Sequence, residues 1–411
     1  MSHDPASDAP PIAADTAKAR KVRDVFDNLS LRLGPSRPGR WDAITVDGAH
    51  AATVRRAGTP HEAATLALRR LVELLSFTHL GAEAPLGRPA VVGEDPMEPF
   101  FDTAMEALAQ ALGLEPTAPA GRAVVQITHD VDNPQLLTAY QLGRAAVLLA
   151  RGDRREAAML RAAGGAVLAR LRGRERDPAW RFDTIDALGE RHGFRSTFLV
   201  FARYPGQHPR DPRYDVTAPR YREVFARLVA RGHEVGFHSG INYNSFDADR
   251  LRLPQEPPRS HRAHYFAVPA ADMERWFDSM ARAGTVCDAS LSPRTVGTAM
   301  GSHYPILFTT VSGRRLTLLP SQFMDAYCAD QTTVEALLDT VRVERWALRP
   351  VVNLNWHVRT FSGLGPWDGY PQRFDRVLEA VRARMAVDFE TMAASAPHAL
   401  LDGRPATGPR A

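Results

Sequence analysis

The chain has 411 residues, 44% of them apolar and 24% charged, with a formal charge of +4. That is globular composition, with room for one large domain plus an accessory one. The charge is small for this length and its basic residues are not interleaved with aromatics, which argues against a nucleic-acid partner, although a mild positive field suits an anionic substrate. Two cysteines, Cys287 and Cys328, are too few for a disulfide framework or a cysteine zinc site and read as packing residues.

Residues 1–21, rich in Ala, Pro, Asp and Ser, are expected to be a disordered tail. They hold no apolar core of the kind a secretory signal needs, and no later run is long and uncharged enough to span a bilayer, so a soluble, cytoplasmic protein is expected. Over residues 22–119 helical and short strand-like runs mix. AATLALRRLVELLSF and PFFDTAMEALAQALGLEP both carry helix-spaced apolar positions, and together they predict a small α+β accessory domain. EPTAPAGR then reads as a connector.

Next comes VVQITHDVDN, Val124 to Asn133: a β-branched apolar run that turns abruptly acidic before Pro134. Alternation along a strand puts Thr128, Asp130 and Asp132 on one face and His129 on the other. Two neighbouring carboxylates repel, which raises one pKa unless a cation sits between them; oxygen ligands suit such an ion. Residues 135–180 form a long helical insertion with arginines among Ala and Leu. An amphipathic helix pair with solvated arginines is favoured there over a lid or a face for a lipid-linked or anionic substrate, and contact with a membrane surface is not favoured.

From Trp180 onward strands and helices alternate, with helices closed by Gly193 and Gly232. The rhythm predicts a mostly parallel α/β architecture over residues 120–395, followed by a tail at 396–411. Polar residues gather at the strand ends: Asp130 and Asp132, His238, Arg262 and His264, Asp288 and Ser290, Asp325, His357. In a (β/α) barrel the active site lies on that face, so the distribution favours a barrel with one composite site. Arg262 and His264 stand two apart on one face, so Arg262 can pair a carboxylate while His264 reaches the same pocket. Asn353, Asn355 and His357 likewise share a face. Asp288 and Asp325 fit three roles alike: holding Arg262, binding substrate, or capping a turn.

Taken together, ITHDVD, GHEVGFHSGIN, SHRAHYF, DASL and NLNWH resemble the motif series of the polysaccharide deacetylase superfamily, over roughly Ala123 to Phe361. The resemblance implies a distorted (β/α) barrel and a metal-dependent, bacterial carbohydrate hydrolase acting on C–N bonds. It further implies Asp130 as catalytic base, Asp132 and His238 as metal ligands, Arg262 as the partner of the base, and His357 as the acid that protonates the leaving amine. One departure stands out. Asn242 occupies the place of the family's second metal-binding His, and an amide oxygen is a poorer zinc ligand than imidazole. Asp132, His238 and His264 are therefore taken as the ligand set, with zinc the expected ion and His129 and Asn242 as weaker candidates.

The expected reaction removes an N-acyl group from an amino sugar or glycan precursor, with a bell-shaped pH–rate profile set by Asp130 and His357. Two alternatives share the barrel: a metal-independent C–N hydrolase, and an inactive carbohydrate-binding or assembly protein. Neither the sugar nor the oligomeric state is legible.

Overall fold

The computed structural model describes residues 17–34, 44–47, 53–56, 59–83, 88–136, 139–152, 161, 163–165, 167, 177–202, 208–241, 243, 246, 253 and 258–397. Helix α1 (Ala17–Leu33) is followed by the short antiparallel strands β1 (Ile44–Asp47), β2 (Thr53–Arg56) and β3 (Thr59–Pro60). Then come α2 (Glu62–Leu75), the hairpin β4 (Leu80–Glu83) and β5 (Arg88–Val91), and α3 (Phe100–Leu112). The start of α1 falls inside the stretch expected to be disordered. Ala19 and Lys21 are already buried there, and the apolar row Val22, Val25, Phe26, Leu29 and Leu33 anchors the helix. In α2 the His61 ring accepts the Ala64 N–H at the N-terminus, while Ala64, Leu68, Leu71 and Leu75 form the buried stripe.

The larger unit contains β6 (Ala123–Val131), α4 (Ala139–Ala150), α5 (Phe182–His192), β7 (Ser196–Phe201), α6 (Pro219–Ala230), β8 (Glu234–Ser239) and β9 (Ser260–Ala263). It continues with α7 (Met273–Arg282), β10 (Cys287–Asp288), the hairpin β11 (Ile306–Thr309) and β12 (Arg315–Leu318), β13 (Phe323–Met324), α8 (Gln331–Leu338), β14 (Val351–Asn355), α9 (Tyr370–Arg384) and β15 (Val387–Phe389). Of the 135–180 insertion, α4 is described, whereas residues 153–160 and 168–176 lie outside the described residues. No described helix is long and apolar enough to cross a membrane.

The sheet runs β11-β12-β10-β9-β8-β7-β6-β14-β13, parallel throughout except for the β11–β12 hairpin. β6 is its spine. One edge pairs with β14 over Val124–Thr128; the other pairs first with β15 over Ala123–Val125 and then with β7 over Ile127–Val131. Adjacent strands lie about 4.8 Å apart, so a flat sheet would put β9 and β14, four strands apart, at roughly 19 Å. Arg262 on β9 nevertheless donates to Asn353 on β14 at 3.1 Å. The sheet must therefore curl around the site.

The curl does not close into a complete ring among the described residues: β13 and β11 end the sheet without pairing to each other. The barrel expected from the sequence is thus a curled half-barrel. At one end α1 takes the place of a further strand. Asn28 donates to the Leu307 carbonyl at 2.8 Å and accepts the Leu307 N–H at 2.7 Å, and Asp24 accepts the Thr309 N–H at 2.9 Å, so helix side chains satisfy the outer edge of β11. One apolar cluster consequently runs from Val22 in α1 through α2 and α3 to Met385.

Burial of Asp24 outweighs its hydrogen bonds from Thr309 and pushes the carboxyl up to about 7. A native pKa above the unfolded value favours folding when the group is protonated, and that contribution is lost as pH rises from about 4 through 7. Asp24→Asn keeps the hydrogen-bonding shape without the charge. The variant is expected to gain stability relative to wild type across that window, by on the order of a few kcal/mol. Denaturant titrations at pH 5 and pH 8 check this, and a difference independent of pH would contradict it.

Candidate metal centre and catalytic pocket

Arg262 is fully buried and organises the floor of the site. Its guanidinium donates to Asp130 at 2.9 Å, Thr128 at 3.0 Å, Asn353 at 3.1 Å and the Ala289 carbonyl at 3.2 Å. Asn355 donates to the second oxygen of Asp130 at 3.0 Å. Burial alone would raise the Asp130 pKa. The adjacent Arg262, helped by His238 and His357, overrides it and holds the carboxyl well below its usual range.

Asp132 stands just past the end of β6, among cations and rings. Its oxygens lie 3.3 Å from His238 Nε2, 3.5 Å from His264 Nε2, 3.3 Å from His357 Nε2 and 3.2 Å from Arg359. Burial is again overridden, here by His264 and Arg359, and this carboxyl too stays well below its usual range. The repulsion expected to raise one of the two aspartates is absorbed by these separate cationic partners.

Each imidazole is turned by a second partner. His238 donates from Nδ1 to the Arg262 carbonyl at 2.8 Å; a carbonyl can only accept, so Nε2 is left as the free donor atom facing Asp132. His264 donates from Nδ1 to Asp211 at 2.8 Å, and Asp211 also accepts the Ile241 N–H at 3.0 Å. Asp132 and Asp211 outweigh burial and push the His264 ring up to about 9. His357 is held by Asp325, whose carboxylate accepts both the ring Nδ1–H, at 3.0 Å, and the backbone N–H, at 2.9 Å. Burial would depress the ring, but Asp325 pushes it up to about 10.

Asp132, His238 and His264 offer one ligand atom each, all within 4.8 Å of one another, and could hold a metal ion. The donor set fits. A carboxylate and two imidazoles are ordinary zinc ligands, and here His238 Nε2 lies 3.3 Å from Asp132 Oδ1 while His264 Nε2 lies 3.5 Å from Asp132 Oδ2. Asp132 Oδ1 and His238 Nε2 are moreover buried without a hydrogen-bond partner, an arrangement that is unfavourable without an occupant to bind them.

A cavity of about 190 Å³ opens above these groups. Asp130, Asp132, His264, His357 and Arg359 form its polar side, and Tyr265, Tyr327, Trp367 and Tyr370 its aromatic side. Where β9 ends, Tyr265 and Phe266 adopt φ of 57° and 54°, a left-handed turn that bulky residues rarely adopt. This stored strain bends the chain sharply at the cavity wall, next to His264.

The sequence-derived residues Asp130, Asp132, His238, Arg262, His264 and His357 thus meet at one place. His129 does not join them: it faces outward, its Nδ1 on the Trp356 carbonyl at 2.7 Å and its Nε2 on Ser196 at 3.1 Å. Asn242 lies outside the described residues. Asp288 holds His261 at 2.6 Å and is not a partner of Arg262. Asp211, which holds His264, and Arg359, which lines the cavity, are not marked in the sequence as site residues. Asp211 sits in a Pro- and Arg-rich loop with no periodicity to mark it; Arg359, two residues beyond His357, could have been found by spacing.

No family model matches the chain, and no curated protein does. Among solved structures it is similar to a protein described as a polysaccharide deacetylase from Mycobacterium smegmatis, at 18% identity, with 72% of this chain and 98% of that chain covered and a TM-score of 0.42. It is also similar to the chitin deacetylase of the fungal pathogen Colletotrichum lindemuthianum, at 11% identity, 66% and 86% coverage and a TM-score of 0.31.

His264→Ala is expected to lose bound divalent metal in elemental analysis, whereas His129→Gln keeps it and loses thermal stability. Asp211→Asn should weaken metal affinity about 10- to 100-fold by freeing the His264 ring. Unchanged metal content in the His264 variant would remove that residue from the ligand set.

Proposed function

We propose that the protein is a metal-dependent hydrolase that removes an N-acyl group, typically acetyl, from an amino sugar or glycan precursor. The observation that carries this reading is the division of labour between two buried carboxylates two residues apart. Asp130 is locked by Arg262 and Asn355, while Asp132 shares its space with His238 and His264 and keeps an oxygen without a partner.

A divalent ion, zinc by the nitrogen-rich donor set, would polarise the amide carbonyl and acidify a water molecule when bound by Asp132, His238 and His264. The other tasks fall to the chain's own groups. Asp130, kept ionised by Arg262, accepts the proton that water gives up as its oxygen attacks the amide carbon. His357, kept protonated by Asp325, donates its proton to the amine nitrogen as the C–N bond breaks. Acetate and a free amino sugar are the products. The aromatic side of the cavity offers flat surfaces against which a sugar ring can pack.

Arg359 carries a second reading. Its guanidinium lies 3.2 Å from Asp132 and already partners that carboxylate without an ion, which is what a metal-independent C–N hydrolase on the same fold would need.

Acetate release from N-acetylated amino-sugar oligomers, measured with and without a chelator, separates the two. Chelator-sensitive release supports the first reading, and release that survives metal removal supports the second. Asp130→Asn should retain metal while lowering turnover about 10²- to 10⁴-fold. Full turnover in that variant would rule out Asp130 as the base.

A further inference from the structure

We propose that Arg359 selects substrates bearing an anionic group, a phosphate or a carboxylate, close to the N-acyl sugar; this rests on the amino-sugar reading above. Three carboxylates line the cavity: Asp130, Asp132 and Asp325. Asp130 has Arg262 as its partner and Asp325 has His357, each at hydrogen-bond distance. Asp132 has His238 and His264, the pair that with it could hold an ion. Once Asp132 serves a divalent ion, Arg359 is the cation left over on the cavity wall.

The arginine is built to stay there. One terminal nitrogen donates to the Asp132 backbone carbonyl at 2.8 Å, a contact that does not depend on the Asp132 carboxylate. That bond pins the head group, whereas Nε and the second terminal nitrogen have no hydrogen bond among the described residues. A guanidinium presents its donors in a planar fork that matches the paired oxygens of phosphate and carboxylate. The side chain lines the cavity and keeps 22% of its surface exposed. Base, acid and ligands fall to other groups, and the one nitrogen that meets Asp132 leaves the rest of the Arg359 fork open to a second, charged part of the substrate.

Trp367 supports the placement. It lines the same cavity as Arg359 and packs on the other side against Leu136, Ala163 and Ala179 of the helical insertion. Trp367 thus links the cavity that holds Arg359 to the helical insertion.

Calorimetric titration of the metal-replete full chain with a neutral N-acetylhexosamine, the same sugar 1-phosphate, and the same sugar bearing a carboxylate tests the proposal without requiring turnover. At least one anionic sugar should bind about tenfold or more tightly than the neutral one. Preference for the phosphate arm points to a nucleotide- or lipid-linked precursor, and preference for the carboxylate arm to an acidic sugar. Arg359→Gln should bring the anionic sugars down to the affinity of the neutral one, with metal content retained, while Arg359→Lys keeps part of the gain. Equal affinity for all three sugars in wild type would overturn the anion claim alone, as would a preference that survives Arg359→Gln or a loss of metal in that variant. Failure of all three sugars to bind would overturn it together with the amino-sugar reading.

Discussion

A single buried guanidinium holds the interior of this protein together. Arg262 starts on β9, crosses the concave face of the sheet and reaches β6 and β14, tying strands that a flat sheet would keep far apart. Stripping water from a charge inside a protein costs several kcal/mol, and the attraction to Asp130 offsets that only because three further acceptors fill the remaining fork. Removing one partner of such a pair typically costs about 3–5 kcal/mol. The same contact sets the charge of Asp130, so curvature and chemistry share one cause. A sheet that flattened would separate Arg262 from Asp130 and lose the buried ion pair along with its shape.

Around that contact the fold follows from strand alternation. Because β6 points Thr128 and Asp130 inward and His129 outward, its two faces have different fates. The inner face becomes polar and anchored by Arg262. The outer face packs His129 against Phe198 and Phe361, with both ring nitrogens satisfied and the imidazole pushed down to about 3 by burial. His129 is thus a core residue in a position that looks functional by its neighbours alone. The same contrast holds for His261 and His264 at the end of β9. His261 is locked between Asp288 and Ser239, whereas His264, just before the left-handed turn, lines the cavity.

Much of this was legible in the sequence, and the rest was hidden for physical reasons. Period-two alternation identified the faces of β6 and β9, and glycines 193 and 232, at φ of 74° and 86°, closed helices where expected. Alternation carries no information about which distant strands meet. The pairings of Asp325 with His357 and of Asp288 with His261 therefore could not be read in advance. Helix α8 ends at Leu338, well before the apolar pattern does. Thr340 bonds back to the Leu337 carbonyl and to His303, which competes with helical continuation. The covering of the β11 edge was likewise invisible, because Asn28 and Asp24 lie 279 and 285 residues before the groups they bond.

The candidate ligand set draws its imidazoles from separate elements, each held by a different partner. An imidazole serves an ion only when its other nitrogen is held, and the holder need not come from the same strand. Here the Arg262 backbone holds His238, while Asp211, from a loop between β7 and α6, holds His264. That loop is anchored in turn, since Asp211 also accepts the Ile241 N–H just beyond β8. Holding His264 through Asp211 makes the candidate site depend on a carboxylate outside the strand-end motifs, which motif spacing alone does not reveal.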